Sequence, residues 1–248
     1  STIYKKLPMN FIILASGRGS RLNQLKKNKP KCLTIINEKK TLIDYISQNF
    51  KDSDNKIVST GYKSNLIIKH LSDKTVNYVR NKNFSNTNMV ESLMLCKNKL
   101  KKKDLIIVYG DIYFDQKILK TIRNLKGNIV AVNSNWLRSW KQRYLTLDKI
   151  KEDAENLVVA KGKIKNIGDK IARKFPKFQY MGILKIEHKT FIKLEKFYKK
   201  LHNKKISLTH FIDKSIKANI AEYKYSIFKN YWYEVDNVSD LKYLKKNI

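Results

Sequence analysis

Cysteine is nearly absent. Cys32 and Cys96 are the two in 248 residues, too few for a disulfide framework and not spaced as metal ligands, so both read as small buried residues. The histidines His70, His188, His202 and His210 are scattered and suggest no zinc site. No uninterrupted apolar run approaches the roughly 20 residues that span a bilayer, and the opening segment Ser1-Thr-Ile-Tyr-Lys-Lys-Leu-Pro8 has no signal-peptide core. A cytoplasmic protein without a membrane span is expected. Repeats and low-complexity linkers are missing too, and 42% hydrophobic content can bury a substantial core. One domain over residues 1–248 is therefore expected, with a first half at about 9–135 and a second at about 136–248.

Acidic residues are also few, 21 against 53 basic, for a formal charge of +32. Such a charge invites a nucleic-acid or acidic-membrane reading. Only seven of the basic residues are arginine, however, and the chain is rich in Asn and Ile as well as Lys. A/T-rich codons specify all three, so compositional drift is a sufficient cause. The lysines are spread along the chain, with one short run at Lys101-Lys102-Lys103. They read as solvated surface, with nonspecific polyanion binding at low salt and no specific nucleic-acid partner.

Apolar runs alternate with segments of helical period, the pattern of an α/β fold with a largely parallel sheet. Strands are expected near Met9–Ala15, Lys56–Thr60, Thr75–Val79, Asp104–Tyr109 and Ile129–Val132. Helices are expected after Thr41, over Leu66–Leu71 and from Asn88. From about Trp136 the pattern changes to shorter strands: Arg143–Leu147, Leu157–Ala160, Ile164–Ile167 and Phe178–Ile186. Helices follow at Lys189–Leu201 and Ser207–Lys217. The short strands suggest an antiparallel extension laid over one end of the sheet.

The richest stretch is Phe11-Ile-Ile-Leu-Ala-Ser-Gly-Arg-Gly-Ser-Arg-Leu22, followed by Lys29-Pro30-Lys31. A buried strand empties into a turn where Gly17 and Gly19 let backbone N–H groups approach an anion. Arg18, Arg21 and Lys31 can neutralise phosphate oxygens. No Gly-Lys-Ser/Thr closes the loop as in a Walker A motif, and the third glycine of a dinucleotide fingerprint is missing. In Leu105-Ile-Ile-Val-Tyr-Gly-Asp111, Gly110 and Asp111 end a hydrophobic run. Asp111 thus belongs at the carboxyl end of a buried strand, where ligands bind in open α/β sheets and where a carboxylate can hold Mg²⁺. Asp111 or Asp115 could instead cap the following helix; Asp115 is assigned the cap and Asp111 the metal. In Tyr231-Trp-Tyr-Glu-Val-Asp236, strand alternation puts Trp232, Glu234 and Asp236 on one face, so two carboxylates project together.

These motifs resemble those of nucleotidyltransferases that activate sugar phosphates and phosphorylated alcohols. Leu14, Ala15, Gly17, Gly19, Arg21, Leu22, Pro30 and Lys31 fit that group's first loop. Asn86-Thr87-Asn88-Met89-Val90-x-Ser92-Leu93 and the late Trp232-x-Glu234-Val235-Asp236 resemble the subgroup of phosphocholine, phosphonate and phosphoglutamine cytidylyltransferases. Gln179-Tyr-Met-Gly-Ile-Leu-Lys185, the spaced Trp136, Trp140 and Arg143, and Asp153-Ala-Glu155 match that subgroup too. The resemblance implies a Rossmann-like, GT-A-like three-layer fold with a mixed, mostly parallel sheet. It also implies transfer of CMP from CTP to a small phosphorylated or phosphonate acceptor, with release of pyrophosphate and Mg²⁺ as cofactor.

On that reading the nucleotide is met by Leu14, Ala15, Ser16, Gly17, Arg18, Gly19, Ser20, Gly61, Asn88, Ser92 and Gly110. Arg21 and Lys31 are catalytic. Asp111, Asp236 and Glu234 hold the metal. Trp136, Trp140, Arg143, Asp153, Glu155, Gln179 and Lys185 face the acceptor, although core packing is an equal reading of the two tryptophans. A sugar-1-phosphate nucleotidyltransferase and a noncatalytic basic nucleic-acid-binding protein stay open as alternatives, and so does a homodimer.

Overall fold

The computed structural model describes residues 8–19, 28–72 and 74–248. Strand β1 (Asn10–Ala15) is buried along its whole length, as its continuous apolar run requires. The hairpin β2 (Ile35–Asn37) and β3 (Lys40–Thr41) leads into helix α1 (Leu42–Ser47), which Thr41 and Asp44 start with a reciprocal capping box. There follow β4 (Asn55–Thr60), α2 (Ser64–His70), β5 (Asn77–Arg80), α3 (Met89–Leu95), β6 (Leu105–Tyr109), β7 (Ile112–Phe114), α4 (Lys117–Asn124) and β8 (Ile129–Asn133).

The second half runs α5 (Trp136–Arg143), α6 (Leu147–Asp153), β9 (Glu155–Ala160), β10 (Lys163–Lys170), β11 (Gln179–Ile186), α7 (His188–Lys200), α8 (Leu208–Lys217), β12 (Lys224–Phe228), β13 (Trp232–Glu234) and α9 (Val238–Lys246).

Nine strands form one mixed sheet in the order β5-β4-β1-β6-β11-β8-β12-β10-β9. Strands β5, β4, β1 and β6 are mutually parallel, β12 is parallel to β8, and β11 runs antiparallel between β6 and β8. Alternation along β1 builds the two cores. Phe11, Ile13 and Ala15 face a layer with α1, α2, α4 and α5, whereas Ile12 and Leu14 face one with α3, α7 and α8. A third cluster of Ile36, Leu42, Val235, Leu241 and Leu244 ties α9 and β13 to the β2–β3 hairpin.

One expectation changes. The segment read as a strand at Arg143–Leu147 is instead the end of α5 and the start of α6, where the Thr146 hydroxyl accepts the Lys149 N–H. Trp136 and Trp140, one helical turn apart, both face the core, so the 3.6-residue period prevails over local strand propensity. The antiparallel strands β9 and β10 join the edge of the sheet through one register pair, Lys163 with Lys224, and the start of β9 turns back to meet β11. Lys161 and Gly162 both take positive φ in the turn between them.

At the amino ends of the parallel strands, Asp54 accepts the Met9 and Lys51 N–H groups and a two-point contact from Arg123, at 2.9 and 2.6 Å. Both side chains are buried, 5% exposed for Arg123 and 0% for Asp54. Burial alone would raise the Asp54 pKa, but Arg123 and the two amides hold it below the usual carboxylate range. Asp54→Ala is expected to cost about 3–5 kcal/mol at neutral pH, because it strands a buried guanidinium. In the native protein this contribution is present above the ordinary carboxylate pKa and is lost as pH falls through the depressed one. Urea titrations of both proteins at pH 7 and pH 3 check it: the difference should shrink in acid.

Candidate active site

The carboxyl ends of β1, β4 and β6 meet at a close-packed point. Gly110 N–H donates to the Leu14 carbonyl at 2.9 Å. A Cβ on Gly110 would lie 2.8 Å from that oxygen, and one on Gly61 would lie 2.5 Å from the Ser16 carbonyl. Both positions therefore accept only glycine without backbone movement. Around them opens a cavity of about 340 Å³ lined by Leu14, Ser16, Gly17, Gly19, Lys31, Asn81, Phe84, Thr87, Asn88, Met89, Ser92 and Asp111.

Each side chain on this wall has a local cause. Asn88 caps α3, its Oδ1 accepting the Met89 N–H at 2.7 Å. Ser92, one turn on, is buried and accepts from Asn81 Nδ2 at 3.0 Å, while Ser16 bonds Ser59 at 2.9 Å. A Cβ on Gly17 would meet nothing within 4 Å, and Gly19 has φ 61°, so the loop leaves its backbone open to the cavity. Arg18 is exposed, 5.5 Å from the Tyr62 ring. Ser20 and Arg21 lie outside the described residues.

A second cavity of about 280 Å³ adjoins the first and shares Met89 and Asp111 with it. Asp111, Asp153, Glu155, Glu234 and Asp236 line it together with Tyr109, Trp140, Gln179, Tyr180, Ser207 and Thr209. Lys31 joins the two spaces. Its Nζ donates to Asp111 Oδ2 at 2.8 Å and to Asp236 Oδ1. Burial by itself would lower the Lys31 pKa, but the two carboxylates raise it above the ordinary lysine value, so the ammonium stays charged.

Asp111 and Asp236 converge on one point, within reach of a single cation. The described residues contain no group of three or more His, Cys, Asp or Glu that could hold a metal ion. Two carboxylates nevertheless fit Mg²⁺, whose remaining positions are ordinarily taken by water and substrate phosphates. Glu234, the third carboxyl expected at the metal, lines the second cavity with Asp111 and Asp236, while the Lys31 ammonium pairs with the two aspartates. Burial, and then the neighbouring Asp236, push the Glu234 carboxyl well above the usual range.

The residues expected at the acceptor divide. Trp140, Asp153, Glu155 and Gln179 line the second cavity. Trp140 Nε1 donates to Asp153 at 2.9 Å, and the Gln179 amide can bond both backbone groups of Glu155 at 3.0 and 3.2 Å, which folds the start of β9 against β11. Trp136 belongs to the core, its indole donating to the Pro176 carbonyl. Arg143 is also buried, bonded to Asp240 at 2.8 Å and set 4.4 Å over the Trp140 ring. Lys185 stands at the other end of the sheet, on the carbonyls of Arg123 and Leu125. Because β11 runs antiparallel, its first residue faces the cavity and its seventh the opposite edge. Tyr109 and Tyr180 sit inside two of the sequence motifs without a role assigned there, and Thr209 lies in none; the packing of β6, β11 and α8 brings all three here.

Burial raises the Glu155 carboxyl to about 7, against the Thr209 hydroxyl bond that favours its charged form. A carboxyl raised on folding adds stability that is complete below its unfolded pKa near 4.5 and is lost as pH rises through 7. Roughly 3 kcal/mol should disappear across that window. Thermal denaturation between pH 4.5 and 8 should show the decline in the native protein and a flatter profile in Glu155→Gln.

The chain belongs to the Nucleotidyl transferase family, whose profile matches residues 10–248; it is an enzyme of the nucleotidyltransferase type. Over 253 residues it is 30% identical to the CTP:phosphoglutamine cytidylyltransferase of Campylobacter jejuni subsp. jejuni serotype O:2, covering 94% of this chain and 98% of that protein. Two solved structures share the Rossmann-like fold. The inositol-1-phosphate CTP transferase from T. maritima matches with TM-score 0.76 and 21% identity over 96% of this chain and 95% of its own. The CTP:phosphocholine cytidylyltransferase from Streptococcus pneumoniae matches with TM-score 0.76 and 23% identity over 97% and 99%. No helix among the described residues is long and apolar enough to cross a membrane.

Proposed function

We propose that this enzyme is a Mg²⁺-dependent cytidylyltransferase that joins CMP from CTP to the phosphate or phosphonate of a small acceptor carrying a cationic amine. The observation that carries the reading is the pair of cavities meeting at Asp111, with the Lys31 ammonium held at their junction. The named activities of the Campylobacter and Streptococcus proteins support the choice of CTP.

An acceptor oxygen attacks the α-phosphorus of CTP, the bond from that phosphorus to the bridging oxygen breaks, and pyrophosphate leaves with the electron pair. The attacking oxygen is already anionic, so no strong base is needed. The protein's task is to align two mutually repelling anions and neutralise charge in the in-line transition state. Gly17 and Gly19 offer backbone N–H groups to the phosphates, and Arg21 is assigned to the β and γ phosphates. Lys31 carries its fixed positive charge to the α-phosphate side. Asp111 and Asp236 would hold Mg²⁺, which when bound supplies Lewis-acid polarisation and a template for the phosphates.

The second cavity supports the choice of acceptor class. Five carboxyl groups and three aromatic rings line it, with no lysine or arginine among its described lining residues. Such a lining suits an ammonium group and opposes an added carboxylate. An amine next to Glu155 would also draw that carboxyl into its charged form.

The test is pyrophosphate release from each ribonucleoside triphosphate and dTTP, paired with phosphocholine, 2-aminoethylphosphonate, phosphorylated glutamine or sugar 1-phosphates. CTP with phosphocholine or the aminoalkylphosphonate should give the highest kcat/KM. Turnover with sugar 1-phosphates alone would overturn the acceptor assignment. Silence throughout, together with tight and salt-dependent nucleic-acid binding, would overturn the catalytic one.

A further inference from the structure

We propose that Arg143, acting through Asp240, is a positioning residue for Asp236; this rests on the reading of Asp236 as a working carboxylate of the site. Asp240 divides its carboxylate between two tasks. Oδ2 accepts the N–H groups of Asp236 at 2.9 Å and Asn237 at 3.1 Å, and Oδ1 accepts Arg143 Nε at 2.8 Å. The first task is the back-bond of the capping box that starts α9, completed by Asn237 Oδ1 on the Asp240 N–H at 3.0 Å. A capping box needs only those partners. This one is sealed, with both Arg143 and Asp240 side chains 1% exposed.

The seal reaches the site from a second side. The Arg143 guanidinium lies 4.4 Å over the Trp140 ring, and Trp140 stacks on Trp232 at 5.0 Å and 28°. Trp232 opens the strand that carries Glu234 and runs on to Asp236. The backbone at Asp236 is therefore pinned by Asp240 from beyond and by the Trp140–Trp232 stack from before, and Arg143 touches both. Stability alone accounts poorly for the arrangement. Nη1 and Nη2 of Arg143 are buried with no hydrogen-bond partner among the described residues, and a buried guanidinium bonded through one nitrogen is a costly way to hold a helix. It does hold the backbone at Asp236, whose carboxylate meets the Lys31 ammonium.

The experiment compares the native enzyme with Arg143→Met, Arg143→Lys and Asp236→Asn in three measurements. These are amide hydrogen exchange at residues 236–237, Mn²⁺ binding in the presence of CTP by electron paramagnetic resonance, and kcat with KM for CTP. In Arg143→Met the two amides should exchange at least about tenfold faster while the β6 amides keep their protection. Mn²⁺ affinity and kcat should each fall about 10–100-fold, as when a group that orients a ligand is removed. KM for CTP should stay within about threefold, since the nucleotide cavity is untouched. Arg143→Lys, which keeps the charge and loses the planar fork, should fall between.

Unchanged exchange and Mn²⁺ affinity in Arg143→Met, with Asp236→Asn inactive, would defeat the positioning role and leave the proposed function standing. Native turnover in Asp236→Asn would defeat the reading of Asp236 itself, and hydrogen exchange would still decide whether Arg143 orders that segment. Should Arg143→Met fail to fold, Arg143→Lys is read in the same three measurements.

Discussion

Asp236→Asn is expected to lower kcat by roughly 10²–10³-fold while the protein keeps its fold and its affinity for free CTP. The substitution removes one of two carboxylates converging beside the junction of the cavities and keeps the shape of the side chain. Several kcal/mol of transition-state charge stabilisation is what a bound metal ordinarily supplies, and each 1.36 kcal/mol is a factor of ten in rate. The fold should survive, because the segment is held by the Val235 N–H on the Asp111 carbonyl and by Asp240 on the Asp236 N–H, neither of which involves the Asp236 side chain. Steady-state pyrophosphate release across a Mg²⁺ titration, beside circular dichroism and calorimetry with CTP, measures all three. Native kcat at saturating Mg²⁺ would remove Asp236 from the machinery.

Lys31→Ala should be as damaging to kcat, again roughly 10²–10³-fold, the loss typical of one preorganised donor aimed at developing charge. Its effect on metal should have the opposite sign. In the structure the Lys31 ammonium is the counter-ion of Asp111 and Asp236 together. Without it the two carboxylates repel one another, and a divalent cation gains what the ammonium had neutralised. Mn²⁺ should therefore bind Lys31→Ala more tightly than the native enzyme while turnover collapses. Weaker binding and unchanged turnover would each contradict the placement of Lys31 between those carboxylates. The pair of variants separates roles that a single activity loss would confuse, because Asp236→Asn weakens metal binding and Lys31→Ala strengthens it.

Much of the catalytic end is legible in the amino-acid sequence. The run from Phe11 to Ala15, the glycines after it, and Gly110-Asp111 at the end of β6 are local signals, since a strand emptying into glycine marks the carboxyl edge of a parallel sheet. Thr41, Asn88 and Ser207 are legible for a similar reason: a cap acts within three residues of itself. The residues that the sequence misplaces share a cause as well. Arg143 and Lys185 read as cations for the acceptor, yet one is sealed against Asp240, 97 residues away, and the other bonds backbone carbonyls about 60 residues away. Whether a cation faces a ligand or a buried partner is set by contacts that no local window contains.

The sequence by itself determined the alternation of strands and helices and the carboxyl-edge location of Asp111, because these follow from hydrophobic period and glycine placement along a few residues, while the class of protein came from the resemblance of its motifs. Tertiary structure alone decided which charges meet. It set Lys31 between Asp111 and Asp236, brought Glu234 to the wall of the second cavity, moved Lys185 to the far edge through the antiparallel run of β11, and gathered Tyr109, Tyr180 and Thr209 around Glu155. The physical reason is one of range. Backbone preferences act over a turn or a strand, whereas an ion pair or a cavity wall joins residues that the chain brings together only after the sheet has closed.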